Sequence, residues 1–344
     1  MEIKNLVRKN ILNLQPYSCA RNEFKGEARV LLDANESPYN SPYNRYPDPL
    51  QIAVKEKLAN IKGVKPEQIF LGVGSDECID LVYRVFCVPG VDNVVAIDPS
   101  YGMYEVCADI NDVEYRRVPL TDDFGLDIEA LISATDAHTK AMWICSPNNP
   151  TGNAFSLEEI EAIYRRFNGI LVVDEAYIHF SAKGSMLSRL DKMPRLIVLH
   201  TLSKAWGSAA VRLGMAFAST EIISIFNNVK YPYNINLLTQ QYVLNRLEHR
   251  TEVEEQVQSL LDSRKVLESE LALLPFVLKV FPSDANFLLV RTTDADGIYR
   301  FLIERGVIVR NRNRVSKCLG CLRITVGTPD ENNDLIKNLK EYGK

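Results

Sequence analysis

A lysine flanked by hydroxyl side chains is the strongest chemical signal in the sequence. Thr201, Ser203 and Lys204 follow the apolar run 196–200, and Arg212 comes a few residues later. A lysine held away from water at the end of a strand can lose its proton, and its neutral amine can form a Schiff base with an aldehyde. The hydroxyls and Arg212 suit a phosphate group. Taken alone, the pattern is equally compatible with a surface lysine in a serine-rich loop.

A second signal is a carboxylate at the end of another apolar run. Asp174 follows residues 170–173, and Tyr177 comes three residues later. A buried carboxylate is costly without a partner, and a protonated pyridine nitrogen would be one. Tyr177 and Asn149 could both bind a phenolate oxygen on the same ring. Capping of a helix is the competing interpretation of Asp174.

Two further groups suit a flat, phosphorylated ligand. Ser75 and Asp76 begin a predicted helix directly after a strand, where free backbone N–H groups bind phosphate. Glu77 occupies the place of the third glycine of a dinucleotide-binding motif, and no Gly-Lys-Ser/Thr sequence follows, so neither nucleotide motif is present. An ordinary helix cap is the alternative. Tyr101 could stack on a ring or simply pack in the core.

Arginines in apolar strand patterns complete the set. Arg310 and Arg323 lie in or beside predicted strands near the C-terminus. An arginine in an apolar strand needs an anionic partner. That partner is either a substrate carboxylate or phosphate, or an acidic side chain of the protein in an internal salt bridge. Together, the amine, the carboxylate, the oxygen donors, the stacking ring and the phosphate-binding groups are what pyridoxal 5′-phosphate requires.

The elements that position these residues follow an α/β pattern. Continuous apolar runs alternate with amphipathic helices, which predicts a large domain with a mostly parallel sheet covered by helices on both faces. In such sheets ligands bind beyond the carboxyl ends of the strands. After residue 235 the sequence pattern changes to two helices followed by short strands and further helices, which predicts a smaller C-terminal α/β domain. We predict an N-terminal arm over 1–30 that packs on the small domain, a large domain over 31–240, and a small domain over 241–344.

Three sequence patterns predict where helices begin. Ser156 and Thr251 are each followed three residues later by glutamate, which is typical of a capping box. Thr328 precedes a proline, which favours the first position of a helix.

Composition excludes several function classes. The 344-residue chain is 46% apolar and 24% charged, with a net charge of -4 and no long basic run, which argues against nucleic-acid or anionic-membrane partners. Seven scattered cysteines favour a reducing cytoplasm. Cys318 and Cys321 form a CxxC pair, but no second pair or nearby histidine completes a zinc site, so we predict no metal. We expect no signal peptide and no membrane-spanning helix.

Several motifs resemble those of the fold-type I aminotransferases. They are residues 146–152 (Ser-Pro-Asn-Asn-Pro-Thr-Gly), 174–178 (Asp-Glu-Ala-Tyr-Ile) and Ser203-Lys204 with Arg212. More narrowly, the chain resembles the histidinol-phosphate aminotransferase family. That resemblance rests on residues 33–38 (Asp-Ala-Asn-Glu-Ser-Pro), 44–47 (Asn-Arg-Tyr-Pro), 74–77 (Gly-Ser-Asp-Glu), 99–104 (Pro-Ser-Tyr-Gly-Met-Tyr) and 321–327 (Cys-Leu-Arg-Ile-Thr-Val-Gly).

The resemblance implies a site and a reaction. Lys204 would form the Schiff base, and Asp174 would pair with the ring nitrogen. Tyr177, together with Asn149, would hold the ring oxygen O3′. The implied cofactor-binding residues are Ser75, Asp76, Tyr101, Asn149, Asp174, Tyr177, Thr201, Ser203, Lys204 and Arg212. The family is a homodimer with shared sites, so Tyr46 would reach the partner's cofactor phosphate. The implied substrate-binding residues are Tyr17, Asn286, Arg310 and Arg323. The reaction would exchange an amino group between L-histidinol phosphate and 2-oxoglutarate, giving imidazole-acetol phosphate and glutamate, in histidine biosynthesis.

Two positions depart from the family pattern, and three other functions stay open. His179 stands where the family usually has an acidic residue, and Trp206 where phenylalanine is common. A phosphoamino-acid decarboxylase or an aromatic-amino-acid aminotransferase of the same fold would share nearly all these residues. A non-catalytic cofactor-sensing regulator would need an added DNA-binding domain, for which we expect no room.

Overall fold

The larger of two β-sheets forms the centre of the chain. The computed structural model describes residues 2–17 and 28–343, and the statements below concern those residues. The sheet has the strand order β1-β7-β6-β5-β4-β2-β3, and only the pairs that involve β7 are antiparallel. The prediction of a mostly parallel sheet is therefore confirmed. Its strands are β1 (Ile69–Val73), β2 (Asn93–Asp98), β3 (Glu114–Pro119), β4 (Thr139–Cys145), β5 (Ile170–Asp174), β6 (Leu196–Thr201) and β7 (Leu213–Ala218).

Apolar side chains cover both faces of this sheet. Alternate residues of a strand point to opposite faces. In β2, Val95 and Ile97 join one apolar cluster, whereas Val94 and Ala96 join the other. Burial on both faces explains why the central strands are continuous apolar runs rather than alternating ones.

Helices lie between and after the strands. β3 escaped prediction because its residues are mostly charged or half-exposed at the edge of the sheet, so no apolar run marks it. The helices are α1 (Lys9–Leu12), α2 (Ile52–Lys62), α3 (Gly74–Phe86), α4 (Met103–Ile110), α5 (Ile128–Ser133), α6 (Leu157–Arg166), α7 (Thr220–Val229), α8 (Leu237–Arg246), α9 (Arg250–Ala272), α10 (Ala295–Glu304) and α11 (Pro329–Leu339). Of the described helices, none has the length and apolar character needed to cross a bilayer.

Two of the three predicted helix starts are correct. Ser156 accepts a hydrogen bond from the Glu159 N–H in a full capping box at the start of α6, and Thr328 does the same at α11. The prediction at Thr251 is wrong, because α9 already begins at Arg250 and no side chain caps it. The backbone enters α9 directly from the preceding 3₁₀ turn, so no separate cap is needed there.

A smaller antiparallel sheet follows, with the order β10-β11-β9-β8. Its strands are β8 (Val277–Val280), β9 (Phe287–Thr292), β10 (Arg310–Asn311) and β11 (Cys321–Thr325). The long helix α9 joins the two parts, because Val253 packs in the core beneath the large sheet and Leu267 packs in the small-sheet core. Domain limits at 240 and 241 stay a prediction.

The N-terminal segment corrects one expectation. Ile3, Leu6 and Val7 are buried in the same apolar cluster as α3, and the N–H of Arg8 donates to the carbonyl of Val85 at 3.0 Å. The described start of the chain therefore packs on the larger domain and not on the smaller one. Its three apolar side chains are buried in the core that surrounds the C-terminal half of α3. The rest of the predicted arm, residues 18–27, lies outside the described residues.

Candidate active site

A cavity of about 390 Å³ lies where the carboxyl ends of the large-sheet strands face the small sheet. Most of the predicted site residues line it. They come from the segments after β1, β2, β4, β5 and β6, and from β10 and β11. The lining comprises Gly74, Ser75, Asp76, Tyr101, Cys145, Asn149, Asp174, Ala176, Tyr177, Thr201, Ser203, Lys204, Ala209, Arg212, Arg310, Arg312 and Arg323.

Lys204 lies in the loop that follows β6. The loop is fixed by the Thr201 hydroxyl, which accepts a hydrogen bond from the Ser203 N–H at 3.0 Å. Lys204 Nζ lies 5.6 Å from the centre of the Tyr177 ring, and it has no hydrogen-bond or ion-pair partner among the described residues. Burial, followed by repulsion from Arg323, lowers the pKa of Lys204 below its usual range. The amine is therefore easier to deprotonate than an ordinary lysine.

Asp174 is a buried carboxylate with two hydrogen-bond donors. Its Oδ2 accepts a bond from the Tyr104 hydroxyl at 2.7 Å, and its Oδ1 accepts one from the Ala176 N–H at 3.0 Å. Burial raises the pKa of Asp174 to about 6, although both hydrogen bonds and Lys204 favour the ionised form. No cationic side chain of the described chain forms an ion pair with it, so a cationic ligand atom would stabilise its charge.

Tyr104 is a site residue that the sequence analysis missed. Its ring is fully buried and stacks on Trp143 at 4.8 Å, while the Tyr83 hydroxyl donates to its backbone carbonyl at 2.6 Å. Both tyrosines lie on helices on the same face of the sheet. The only sequence signal was the spacing of Tyr101 and Tyr104, which places two tyrosines within one helical turn of the chain.

The N-terminus of α3 depends on two close backbone approaches. Gly74 has φ +73°, and a Cβ there would lie 2.7 Å from Arg212 Nη2. Gly214 packs against the helix start so closely that a Cβ would lie 2.1 Å from the Ser75 nitrogen. Arg212 also lies 3.6 Å from Asp76 Oδ2. The arrangement places free N–H groups and a guanidinium together, as a phosphate requires.

Asn149, Tyr177 and Arg323 connect the two parts of the chain across the cavity. Arg323 Nη1 donates to Asn149 Oδ1. The Tyr177 ring packs edge-on against Phe287 at 5.1 Å, and the Arg323 guanidinium lies 5.3 Å from the centre of the Phe287 ring. Tyr101 completes this side, because its hydroxyl donates to Asp76 Oδ1 at 3.1 Å.

Strand pairing brings three arginines to the small-sheet side of the cavity. Arg310 lies directly opposite Arg323 in the β10–β11 pair. Arg312, which the sequence analysis did not select, also lines the cavity. The sequence feature that could have identified Arg312 is its two-residue spacing from Arg310, because this spacing places both side chains on one face of an extended segment.

Three predicted residues do not line this cavity. Tyr17 is exposed, Asn286 contributes only a backbone carbonyl bond to the Val326 N–H, and Tyr46 stacks on Tyr233 at 4.4 Å. The position of Tyr46 agrees with a role outside its own subunit's site, but that role stays a prediction.

The two departures from the family pattern lie outside the cavity. His179 Nε2 is 3.0 Å from Lys62 Nζ, and burial followed by repulsion from Lys62 lowers the pKa of His179 to about 2. Trp206 is buried in the large core. Cys318 and Cys321 are buried free thiols, and over residues 2–17 and 28–343 no cluster of three or more metal-binding side chains occurs.

Comparison with known proteins places the chain among aminotransferases. The family described as "Aminotransferase class I and II" matches residues 17–339. A histidinol-phosphate aminotransferase from Parabacteroides distasonis is 56% identical, with 98% of each chain covered. One from Cytophaga hutchinsonii is 51% identical, with 99% of each chain covered. The structure of histidinol-phosphate aminotransferase from Sinorhizobium meliloti in complex with pyridoxal 5′-phosphate is 23% identical, with TM-score 0.80, covering 90% of this chain and 89% of that one.

Proposed function

Because the chain belongs to the class I and II aminotransferase family, we propose that it exchanges an amino group between L-histidinol phosphate and 2-oxoglutarate. The products are imidazole-acetol phosphate and glutamate, and the step belongs to histidine biosynthesis. The observation that carries this proposal is the cavity itself, in which Lys204 and Asp174 face the small-sheet arginines Arg310, Arg312 and Arg323, which have no acidic partner among the described residues. An amine, a carboxylate and an anion-binding wall are the parts that transamination of a phosphorylated substrate needs.

The cofactor is pyridoxal 5′-phosphate, and the residues present fit it. Over residues 2–17 and 28–343, the Lys204 amine has no hydrogen-bond or ion-pair partner, and the buried Asp174 carboxylate forms no ion pair. The start of α3 and Arg212 supply donors for a phosphate. When bound, this cofactor supplies an aldehyde that forms Schiff bases with amines and a protonated ring that withdraws electrons from the substrate Cα.

The chain supplies proton transfer and orientation. Lys204, whose pKa is lowered by burial, would remove the proton from the substrate Cα and would return it to C4′, the aldehyde carbon of the cofactor. Asp174 stays ionised near neutral pH because Tyr104 and Ala176 donate to it, so it would keep a proton on the ring nitrogen. Tyr177 and Asn149 would hold the ring oxygen, and Tyr101 would cover the ring face. These assignments rest on the placement of each side chain around one cavity.

The small-sheet wall binds the substrate anion. Arg310 and Arg323 lie opposite each other and present guanidinium groups, which bind carboxylates and phosphates with two hydrogen bonds. We further propose that Asn286 and Tyr17 contact the substrate when the cavity is filled.

We propose that the protein is a homodimer with shared active sites. Leu32 is 90% exposed, Tyr43 61% and Tyr46 51%, so this segment of the chain presents large apolar side chains at the surface. Sedimentation equilibrium measures the mass. Mixing Lys204→Ala subunits with Tyr46→Ala subunits tests the sharing, because a hybrid dimer then has one site with both native residues and regains activity. If Tyr46 serves its own subunit, the mixture recovers nothing. The cytoplasmic location stays a proposal that the free thiols support.

The function is tested by transamination with purified holoenzyme. We expect rapid glutamate formation from histidinol phosphate and 2-oxoglutarate, and much slower turnover with phenylalanine as donor. A faster reaction with phenylalanine would favour an aromatic-amino-acid aminotransferase. Release of CO₂ from a phosphoamino acid without a keto-acid acceptor would favour a decarboxylase. Absence of turnover with all donors would refute the proposal.

A further inference from the structure

Three arginine side chains converge on one face of the small sheet. Arg310 is the register partner of Arg323, and two residues further along the N–H of Arg312 donates to the carbonyl of Cys321 at 2.9 Å. Because side chains alternate along extended backbone, Arg310 and Arg312 share a face, and Arg323 lies across from them on that face. All three line the cavity that contains Lys204.

These arginines have no carboxylate to balance them. In the described part of the chain, none of the three forms a salt bridge, and Arg323 bonds only to the neutral amide of Asn149. Arg312 is half-buried, and its Nε atom is inaccessible and lacks a protein acceptor. Burial, followed by repulsion from Arg323 and Arg310, lowers the pKa of Arg312 to about 10. Such a cluster is costly to hold together unless an anion joins it.

A phosphate monoester matches this cluster better than a carboxylate does. A carboxylate has two coplanar oxygens and one charge, which Arg310 and Arg323 can satisfy. A phosphate monoester has three terminal oxygens in a tetrahedral arrangement and about -1.5 to -2 charges at neutral pH. Its third oxygen lies outside the plane of the other two, so a third guanidinium, displaced along the strand, can reach it.

We propose that Arg312 is a specificity-determining residue that binds the phosphate of the substrate and favours a dianionic monoester over the carboxylates of glutamate. The inference rests on the proposed function and adds to it a reason why one cavity can serve two differently charged substrates. Arg310 and Arg323 bind the anion of either substrate, whereas Arg312 contributes only when the phosphate is present.

The test measures the two half-reactions separately on holoenzyme. Single-turnover spectra give kcat/KM for histidinol phosphate and for glutamate in the wild type, Arg312→Gln and Arg312→Lys. We expect Arg312→Gln to lose about tenfold to hundredfold with histidinol phosphate, the range for one charge-assisted hydrogen bond, and to stay close to wild type with glutamate. Arg312→Lys restores part of the loss, because it keeps the charge without the planar fork. Arg314→Gln is the matched control, since Arg314 is exposed and lies outside the cavity.

A pH profile separates binding from a structural role. The second ionisation of a phosphate monoester occurs near pH 6. The advantage of the wild type over Arg312→Gln with histidinol phosphate therefore grows as the pH rises through about 6, and no such growth occurs with glutamate. Equal losses in both half-reactions, or no loss in either, would overturn the assignment of Arg312 while leaving the proposed function intact. A wild type that uses glutamate but not histidinol phosphate would overturn both.

Discussion

Removal of the Tyr104 hydroxyl tests how the chain keeps Asp174 ionised. In Tyr104→Phe the ring still fills its place beside Trp143, but Asp174 Oδ2 loses the donor at 2.7 Å. Asp174 then keeps only the bond from the Ala176 N–H. Since the carboxylate is buried, water cannot readily replace the lost hydrogen bond. The ionised form of Asp174 is therefore destabilised relative to the protonated form.

The magnitude follows from the strength of a hydrogen bond to a charged group. Such a bond contributes about 1.5–3 kcal/mol. One pKa unit corresponds to about 1.4 kcal/mol, so the pKa of Asp174 rises from about 6 to about 7–8 in the variant. Asp174 loses its charge as the pH falls through its pKa. Its attraction for the protonated ring nitrogen is thus lost below about pH 6 in the wild type and below about pH 7–8 in Tyr104→Phe.

The assay is a cofactor titration of the apoenzyme at a series of pH values, followed by absorbance. Tyr83→Phe is the matched control, because it removes a buried hydroxyl from the same aromatic stack without touching Asp174. The cofactor phosphate titrates alike in all three proteins, so a difference between the profiles reports Asp174 together with the Lys204 amine that its charge stabilises. We expect Tyr104→Phe to bind about fivefold to fiftyfold more weakly at pH 6, where the wild-type Asp174 is itself only half ionised, and nearly normally at pH 9. An unshifted profile, or the same shift in Tyr83→Phe, would refute the reasoning.

Three other outcomes follow from the same structure. Lys204→Ala abolishes transamination and the spectrum of the lysine-bound cofactor, whereas Lys183→Ala, at an exposed position, changes neither. Ordinary activity in Lys204→Ala would refute the assignment of Lys204 as the Schiff-base lysine. Gly214→Ala displaces the start of α3, because its Cβ would lie 2.1 Å from a backbone nitrogen, and it lowers the unfolding free energy by about 1–3 kcal/mol. Calorimetry measures this loss, with Gly102→Ala as the control, since a Cβ there meets nothing within 4 Å. Thr328→Ala costs about 1 kcal/mol by loss of the α11 cap, with kcat/KM unchanged, and Thr328→Ser restores it.

Local patterns were sufficient for much of the fold. The buried strands β1, β5 and β6 could be predicted because several consecutive apolar residues mark a strand that is covered on both faces. Capping residues gave the starts of α6 and α11. The edge strand β3 could not be predicted, because exposure allows it charged residues that carry no strand signal.

Some residues of the candidate site could be identified from the sequence, and others could not. Lys204 and Asp174 could be selected from sequence, since each follows an apolar run and strand ends meet at one edge of a parallel sheet. Tyr104 could not be assigned, because its acceptor Asp174 is 70 residues away and only the strand order brings them together. Arg312 likewise depended on the β10–β11 register.

The sequence by itself identified Lys204 and Asp174 as candidate site residues and determined the class of sheet that presents them, because hydrophobic periodicity and motif spacing are properties of neighbouring residues. Only the tertiary structure decided what each charged group meets. The N-terminal segment shows the same limit: the sequence predicted an arm that packs on the small domain, but Ile3, Leu6 and Val7 are buried in the apolar cluster of the large domain that includes α3. Contacts between distant segments reflect shape and strand order, which no short stretch of sequence encodes.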